Sequence, residues 1–435
     1  MTRLASASLA LAAAIAGAAN ASSAFHPSAS VPSFAPFITI EPLEPRVFVG
    51  GLTYLQARIV GLSKAPTIRW TLHGPGSIDA DGDTIAYAAP RSPVTAIIGA
   101  AAATLGTAVT VRSVPPPPSR TPLLLVACYD RGEVDVRAGD DGARIGETTV
   151  AEQAGSVALE PQRRIAVVTA RDRIAALDLT TMHAKLSPPV SGALFSQVVA
   201  LAGGYFAVTD ANANNGQVGI RLYRIDRAGF PTPSGGLVAG ETPEGIVAER
   251  GGHAFVVSNI NGNSILRFTF DGRGSARLAS MRKTAARPFG MAIDERHRLL
   301  FVADNDTPAL SGSSSRPGLE TFALPGLQRR RPAVATGTPN ALPLGVAVDE
   351  PDELLFVTNE GDATVAVYRL PRVRRIGTLR TGLTPWMPSV DASRRRLYVP
   401  SARSDAVDVF DLRRLNSPPR VLSTCSYPTG VAVDG

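Results

Sequence analysis

Apolar and polar positions repeat along most of the chain in short blocks. A phrase such as TPEGIVAER at 242–250 or LPLGVAVDE at 342–350 is followed by a turn and then by a solid apolar run, AFVVSN or LLFVTN. A third block with alternating apolar residues comes next, most clearly DATVAVYRL at 362–370. Short runs separated by Gly, Pro, Asn and Asp predict β-strands and turns, because amphipathic helices need longer runs with a 3.6-residue period.

The block recurs through residues 121–435 at a nearly regular period. The first strand of each block centres on Val157, Val198, Ile246, Met291, Val346, Val390 and Val431, with spacings of 41, 48, 45, 55, 44 and 41 residues. Periods in the forties, with several strands in each, are typical of β-propeller blades.

The array starts out of phase, and this predicts how its ends meet. LLLVACYDRGEVDV at 123–136 aligns with LLFVTNEGDATVAV at 354–367, so the first block opens on its second strand. YPTGVAVDG at 427–435 would supply the missing innermost strand. We therefore expect an all-β, seven-bladed propeller closed by pairing of its N- and C-terminal strands, which removes exposed sheet edges.

Residues 37–114 show a different pattern. Alternating runs such as FITIEP and TIRWTLHGPGSI, spaced about eight to twelve residues apart, favour a β-sandwich with Trp70 in the middle of a strand. Prolines 115–118 predict a semi-rigid linker over 115–120. Asp79, Asp81 and Asp83 surround Gly82; they suit a tight turn better than a calcium site, although both interpretations use carboxylates.

The first 21 residues have the pattern of an export signal. Arg3 precedes an alanine-rich apolar run at 4–19, and Ala19-Asn20-Ala21 offers a small-residue cleavage site. A membrane anchor is the alternative, but the run is short and rich in alanine. We expect residues 1–21 to be cleaved, residues 22–36 to form a flexible tail, and the mature protein to be periplasmic or secreted without a membrane span.

The amino-acid composition excludes several classes of protein. The chain has 435 residues, 44% of them hydrophobic, with 40 Gly and 35 Pro. This excludes a disordered, collagenous or helical-bundle protein. The net charge is +7, and all but three of the 44 basic residues are arginine. Two cysteines exclude a disulfide-dense scaffold and an iron–sulfur protein.

Two sets of motifs resemble known families. FVTNEGDATVAVYRL and RLYVPSARSDAVDVFDL resemble the YVTN propeller repeat, and PFGMAID with LLFVAD is similar to the NHL repeat. Trp70, GPGSID at 74–79 and YAAP at 87–90 resemble bacterial immunoglobulin-like domains. Relatives with these propeller repeats include periplasmic and surface-layer binding propellers, ubiquitin-ligase recognition modules and lactone hydrolases. The resemblance therefore implies one fold but leaves several functions open.

Loops at one end of such a propeller form the expected site. They carry the candidate ligand-binding residues Glu244, Asn259, Asp304, Asn305, Asn359, Glu360 and Trp386. Carboxylates and amides beside an aromatic ring suit a hydroxylated ligand or a divalent cation, whereas Asx turns are the purely structural alternative. Resemblance to gluconolactonases implies a metal held by Glu244, Asn259 and Asp304 or Asn305. No GxSxG or HExxH motif is present.

Arginines cluster in the turns expected at the other end. They are Arg298, Arg394, Arg395, Arg396, Arg413 and Arg414. A basic face of this kind could dock an anionic envelope polymer or an acidic protein, although arginine also simply keeps turns soluble. Nucleic acid is not expected, because aromatic residues do not alternate with the basic ones.

The two cysteines fall near the expected closure. Cys128 aligns with Asn359 at the end of a second strand, and Cys425 comes three residues before Pro428. We predict a disulfide that locks the ends of the ring, with two free buried thiols as the alternative.

The sequence favours an exported, monomeric binding protein that needs no cofactor and recognises a partner or ligand through one propeller face. The alternative is a lactonase-like hydrolase with a divalent metal at the channel mouth. A structural role in an envelope layer is a third hypothesis, with less in the sequence to favour it.

Overall fold

The computed structural model describes residues 35–62, 66–306 and 318–434. Within these ranges the chain forms 36 β-strands and short 3-10 turns. No helix in this part of the chain is long and apolar enough to cross a membrane. The predicted signal peptide and nearly all of the predicted tail lie outside the described residues.

Two four-stranded sheets pack face to face at the N-terminus. Their strands are β1 (Phe37–Glu41), β2 (Arg46–Phe48), β3 (Leu52–Val60), β4 (Arg69–His73), β5 (Ser77–Asp81), β6 (Thr84–Ala88), β7 (Thr95–Ala102) and β8 (Leu105–Val114). One sheet has the order β1-β3-β6-β5 and the other β2-β8-β7-β4. Alternate residues such as Leu55, Ile85, Tyr87 and Ile98 fill the shared core. Trp70 is partly buried and packs against this core.

The aspartates of this sandwich shape a hairpin. Asp81 pairs with Thr84, which leaves a two-residue turn between β5 and β6. Gly82 in that turn has a φ of 60°, a left-handed conformation that favours glycine. Its carbonyl oxygen accepts a hydrogen bond from the Trp70 indole at 3.2 Å. The arrangement agrees with the turn-forming interpretation of these residues.

Seven further groups of four strands, here called sheets 1 to 7, follow in order. Sheet 1 contains β9 (Leu123–Cys128), β10 (Glu133–Ala138), β11 (Arg144–Thr149) and, from the C-terminal end, β36 (Pro428–Asp434). Sheet 2 contains β12 (Val157–Glu160), β13 (Ile165–Thr169), β14 (Ile174–Asp178) and β15 (His183–Leu186). Sheet 3 contains β16 (Phe195–Leu201), β17 (Tyr205–Asp210), β18 (Val218–Ile225) and β19 (Pro231–Val238). Sheet 4 contains β20 (Pro243–Ala248), β21 (Ala254–Asn259), β22 (Ser264–Phe270) and β23 (Ala276–Lys283).

The remaining three sheets have the same antiparallel order. Sheet 5 contains β24 (Pro288–Asp294), β25 (Leu299–Asp304), β26 (Gly318–Ala323) and β27 (Gln328–Ala335). Sheet 6 contains β28 (Pro343–Asp349), β29 (Leu354–Asn359), β30 (Thr364–Arg369) and β31 (Arg374–Arg380). Sheet 7 contains β32 (Ser389–Asp391), β33 (Arg396–Ser401), β34 (Ala406–Asp411) and β35 (Arg420–Ser423).

The first strands of the seven sheets contact one another in a closed circle. Contacts run from β12 through β16, β20, β24, β28 and β32 to β36, and β36 contacts β12 again. β36 pairs antiparallel with β9, as the phase of the repeat predicts. Second strands such as β29 are buried along their whole length, because each sheet packs between two neighbours. This double-sided burial explains why these strands are solid apolar runs.

The sandwich is joined directly to sheet 1. β2 pairs in parallel with β11, so one sandwich sheet and sheet 1 form a continuous eight-stranded sheet. The buried Thr53 hydroxyl donates to Glu147 at 2.7 Å across this junction. Phe48 is fully buried in the core that sheets 1 and 2 share. The sandwich therefore covers the outer edge of sheet 1, which the predicted 115–120 linker did not indicate.

Candidate functional site

The candidate site lies at one end of the circle of sheets. We call this end the entry rim; it is formed by the segments that lead into the first strands and those that follow the second strands. The opposite end, formed by the turns that join first to second and third to fourth strands, is called the turn rim. The entry rim carries Tyr129, Ser196, Glu244, Phe289, Leu344, Glu360, Trp386 and Tyr427.

Glycines of the repeated Pro-x-Gly phrase bring the rim segments into backbone contact. A Cβ atom on Gly245 would lie 2.0 Å from the carbonyl oxygen of Phe289, in the next sheet. A Cβ atom on Gly290 would lie 2.2 Å from the carbonyl oxygen of Leu344. No side chain fits at such distances, so the recurring glycine is required for neighbouring sheets to meet at the rim.

A buried hydroxyl near the end of the second strand fixes several of these contacts. Thr209 donates to the carbonyl oxygen of Glu244 at 2.7 Å, and Thr358 donates to that of Trp386 at 2.9 Å. Ser258 donates to the Phe289 carbonyl at 2.8 Å. Each bond runs from one sheet to the entry segment of the next. The backbone of two predicted site residues is therefore held by the preceding sheet.

Four aromatic side chains, here called the aromatic arc, follow one another along the rim. They are Phe289, Trp386, Tyr427 and Tyr129. Successive ring centroids lie 6.2, 6.5 and 6.2 Å apart, in tilted or edge-to-face geometry. Phe289 is buried against Ile260 and Leu344, whereas the other three rings are half-buried. Part of the rim is thus a rigid, partly exposed aromatic surface.

Glu244 is a buried carboxyl at the same rim. Its side chain is almost fully enclosed, and the Ser196 hydroxyl of sheet 3 donates to it. Burial raises the pKa of Glu244 to about 7, although the Ser196 hydrogen bond and the Arg287 charge act in the opposite direction. Near neutral pH this carboxyl therefore exists in both protonation states, and it can donate or accept a proton.

Glu360 is a second carboxyl with the same property. Burial raises its pKa to about 7. Its Oε2 atom is buried and has no hydrogen-bond partner in the described part of the chain. Burial raises the pKa of Tyr427, and the charge of Glu360 adds to this rise. Burial also raises the pKa of Tyr129, to which Glu244 adds more weakly. Each carboxyl is therefore within electrostatic range of one tyrosine of the arc.

The side-chain amides of the three predicted asparagines donate hydrogen bonds to neighbouring strands or segments. Asn259 donates to Ser264 at 3.3 Å, and Asn359 donates to Thr364 at 3.2 Å, so each ties the second strand to the third in its own sheet. Asn305 donates to the Pro343 carbonyl oxygen at 3.3 Å. The amide nitrogens thus tie neighbouring strands or segments together, whereas the Oδ1 atoms of Asn259 and Asn359 are buried without a hydrogen-bond partner among the described residues.

The gluconolactonase resemblance implies Glu244, Asn259 and Asp304 or Asn305 as metal ligands. Glu244 accepts from Ser196 and Asn259 donates to Ser264, while Asp304 is buried beside Glu320. Burial raises the pKa of Asp304 well above its usual range, and Glu320 adds to this. Over residues 35–62, 66–306 and 318–434, no three His, Cys, Asp or Glu side chains converge as metal ligands would. The Oδ1 atom of Asn259 is buried without a hydrogen-bond partner among the described residues, and the implied metal set stays a prediction.

Most of the predicted basic residues are ion-paired. Arg298 contacts Glu249 and Glu295, both at 3.1 Å. Arg394 contacts Asp140 and Asp391, both at 2.9 Å, Arg395 contacts Asp352 at 2.6 Å, and Arg413 lies 3.9 Å from Asp411. Arg396 donates to the Gly139 carbonyl oxygen at 3.1 Å. Several of these contacts join neighbouring sheets, and they neutralise much of the charge expected on the turn rim. Among the described residues, Arg414 has no acidic partner.

The two cysteines are joined in the structure. Their Cα atoms lie 5.8 Å apart, and the sulfur atoms are bonded. Cys128 ends β9, while Cys425 precedes β36, the strand that pairs with β9. The cross-link thus lies at the closure of the circle.

Sequence reasoning missed Tyr427 and Ser196 as site residues. Tyr427 directly precedes the Pro-x-Gly phrase at 428–430, so the repeat alignment already placed it at the rim. Ser196 lies in a degenerate copy of the repeat, where no phrase marks the entry segment. Its role depends on Glu244 of the next sheet, a contact that the repeat pattern does not encode.

Comparison with known proteins identifies the fold. No family model matches the chain, and no curated protein matches it. A "putative 6-phosphogluconolactonase" from Bacteroides fragilis is 12% identical with a TM-score of 0.59, and the match covers 73% of this chain and 99% of that one. A protein from Lactobacillus plantarum is 14% identical with a TM-score of 0.59, covering 72% and 99%. Virginiamycin B lyase from Staphylococcus aureus is 14% identical with a TM-score of 0.50, covering 64% and 88%.

These similarities, together with the ring of four-stranded sheets, define a β-propeller. At such low identity they establish the fold alone. The activities named for these proteins remain statements about those proteins.

Proposed function

We propose that this chain is an exported protein with an immunoglobulin-like sandwich followed by a seven-bladed propeller. The propeller binds a hydroxylated, largely uncharged ligand at the entry rim. The closed circle of first-strand contacts and the pairing of β36 with β9 support seven blades. The two-sheet packing and the Trp70, GPGSID and YAAP motifs support the immunoglobulin-like assignment. Export rests on the pattern of residues 1–21.

The aromatic arc is the observation that carries the binding proposal. Aromatic faces pack against the C–H faces of sugar-like molecules, and nearby polar groups hydrogen-bond the hydroxyls. Glu244 and Glu360 supply such groups, and with pKa values of about 7 they can act as donors or acceptors. The inter-sheet hydroxyl bonds hold the arc before a ligand arrives, which lowers the ordering cost of binding.

Tryptophan fluorescence offers a direct test, because the chain has only Trp70 and Trp386. Titration with a panel of neutral oligosaccharides should change the emission of a Trp70→Phe protein, in which Trp386 is the sole reporter. Trp386→Ala should lose binding of the same oligosaccharide, as measured by calorimetry, while Trp70→Phe retains it. If no neutral oligosaccharide binds, or if Trp386→Ala binds as tightly as the parent, the proposal fails.

A lactone hydrolase is the second candidate, favoured by one observation. Glu244 has a pKa suited to removing a proton from water at neutral pH. The water oxygen would add to the lactone carbonyl carbon, the ring C–O bond would break, and a protonated Glu360 would return a proton to the leaving alkoxide. Two structural neighbours are named as putative 6-phosphogluconolactonases, at identities too low to transfer activity.

Hydrolysis of gluconolactone and its 6-phosphate, corrected for the spontaneous reaction, tests this alternative. Turnover that falls at least a hundredfold in Glu244→Gln would favour the hydrolase. Absence of turnover, together with oligosaccharide binding that survives in Glu244→Gln, would favour binding alone.

A further inference from the structure

The fourth strands of sheets 4, 5 and 6 form an unusually basic surface, which we call the outer belt. Strands β23, β27 and β31 carry nine basic side chains and no acidic ones. The nine are Arg277, Arg282, Lys283, Arg329, Arg330, Arg331, Arg374, Arg375 and Arg380. All but Arg331 are exposed. None of them is among the six turn-rim arginines described above.

Contacts between neighbouring sheets make this surface continuous. Arg329 donates to the Lys283 carbonyl oxygen at 3.1 Å, which joins sheets 4 and 5. Arg282 crosses the same boundary and donates to the Leu327 carbonyl oxygen at 3.1 Å. Arg331 donates to the Arg372 carbonyl oxygen, which joins sheets 5 and 6. The three strands are therefore adjacent along the outside of the ring.

The charge of the belt is almost uncompensated. Arg329 contacts Glu320 at 2.7 Å, and in the described part of the chain none of the other eight basic groups has a carboxylate within 4 Å. The segments outside the description contain no Asp or Glu at all. This contrasts with the turn rim, where arginines are matched with acids. Eight unpaired cations on adjacent strands create a positive potential that attracts a polyanion.

Protection of sheet edges does not account for this charge. Edge strands often carry one or two basic residues to prevent edge-to-edge pairing. β19 occupies the same position in sheet 3 with no charged residue and uses Pro231 and Pro233 instead. β15 in sheet 2 has Lys185 and His183. Three basic residues on each of three adjacent strands exceed what the same fold needs elsewhere.

We propose that the outer belt binds a linear anionic polysaccharide. Guanidinium groups form paired hydrogen bonds with carboxylate and sulfate groups, and eight of the nine cations are arginines. A flexible chain can follow the curved outside of the ring, whereas a flat lipid surface can touch only part of it. The three strands contain no aromatic residue on which nucleobases could stack.

Four belt arginines can be removed without loss of any hydrogen bond or ion pair among the described residues. The belt variant replaces Arg277, Arg330, Arg374 and Arg380 with Ser. A control variant replaces four other exposed arginines, Arg69, Arg91, Arg120 and Arg227, with Ser. Both variants lose the same net charge. Binding of the full mature chain to heparin and to polygalacturonate is measured by surface plasmon resonance at several salt concentrations, with neutral dextran as the reference polymer.

The belt variant should bind heparin or polygalacturonate about tenfold more weakly or worse, with a shallower salt dependence, and the control variant should keep most of the affinity. Equal losses in the two variants would mean that diffuse net charge is responsible and would overturn the proposal. No binding by the parent protein near 0.1 M salt would overturn it as well. So would tighter binding to anionic phosphatidylglycerol vesicles or to single-stranded DNA than to either polymer. Neutral oligosaccharide binding at the entry rim should persist in the belt variant, which separates the two proposals.

Discussion

The hydroxyl of Thr358 donates a 2.9 Å hydrogen bond to the carbonyl oxygen of Trp386. The same hydroxyl accepts from the Gly345 amide at 2.8 Å. One side chain thus links the first and second strands of sheet 6 to the entry segment of sheet 7. The backbone that carries the largest ring of the aromatic arc is therefore held by a fully buried side chain of the preceding sheet.

Removing this hydroxyl should loosen the rim. Thr358→Val keeps the side-chain shape but leaves a buried amide and carbonyl unpaired, so we expect a loss of about 1–3 kcal/mol in the free energy of unfolding. Denaturant titration measures this loss. Thr358→Ser retains the hydroxyl and should lose less, and equal losses for Val and Ser would show that the hydrogen bonds are unimportant.

The close contact at Gly290 predicts intolerance of even one methyl group. Gly290→Ala would place a Cβ atom 2.2 Å from the Leu344 carbonyl oxygen, forcing sheets 5 and 6 apart. We expect a loss of about 3 kcal/mol or more. Gly377→Ala is the matched control, because nothing lies within 4 Å of its added Cβ atom, and it should change stability by less than about 1 kcal/mol. Similar thermal midpoints for both variants would contradict the packing argument.

The disulfide should stabilise the closed ring. Cys128 and Cys425 are 297 residues apart, so their cross-link restricts a very long loop in the unfolded chain. Replacing both with Ser should lower the free energy of unfolding by about 2–4 kcal/mol. Reduction of the parent protein should have a similar effect and should leave the double variant unchanged. Alkylation of both thiols in native, unreduced protein would show that the bond is absent in solution.

Glu244 should make stability depend on pH. Its pKa is about 7 in the folded protein, above the ordinary value of 4.5 expected when the chain unfolds. Between these values the folded state binds more protons, so stability falls as pH rises from about 4.5 and the penalty is complete above about 7. The full penalty is of the order of 3 kcal/mol. Glu244→Gln should therefore lose less stability than the parent between pH 5 and pH 8.

Glu152→Gln provides the comparison for this experiment, since the Glu152 side chain is 83% exposed. Urea titrations at pH 5 and pH 8 should give the same change in the free energy of unfolding for Glu152→Gln as for the parent protein. If Glu244→Gln also shows the same change between pH 5 and pH 8 as the parent protein, the Glu244 carboxyl does not titrate in the predicted range.

The repeat made much of the fold predictable. The Pro-x-Gly phrase, the apolar second strand and the offset of 123–136 each follow from local rules for strands and turns. They led to the pairing of 428–434 with β9, which the structure contains. Glu244, Glu360 and Trp386 could be assigned to the rim because they occupy defined positions in that repeat. Their shared environment could not be predicted, because burial and neighbouring charges come from several sheets.

Contacts between segments that are distant in the chain could not be predicted from the sequence. Arg394 pairs with Asp140, 254 positions away, and nothing in either turn marks the other as its partner. A count of arginines therefore suggested a basic face where the structure contains ion pairs. The pairing of β2 with β11 depends on how two modules dock, and only Val47 and Glu147 are in register. Charge on the outer belt was equally visible in the sequence, but its lack of acidic neighbours required the three-dimensional arrangement.

Sheet 1 is assembled from strands that lie far apart in the chain: three within residues 123–149 and one at 428–434. The ribosome must therefore have synthesised the chain as far as residue 434 before sheet 1 can be completed. Until then, β9 has an open edge and the Cys128 thiol has no partner, while the other six sheets can already form from nearby segments. Completion of the native protein is for this reason tied to its last strand, so deletion of 428–434 should stall maturation rather than merely trim a tail.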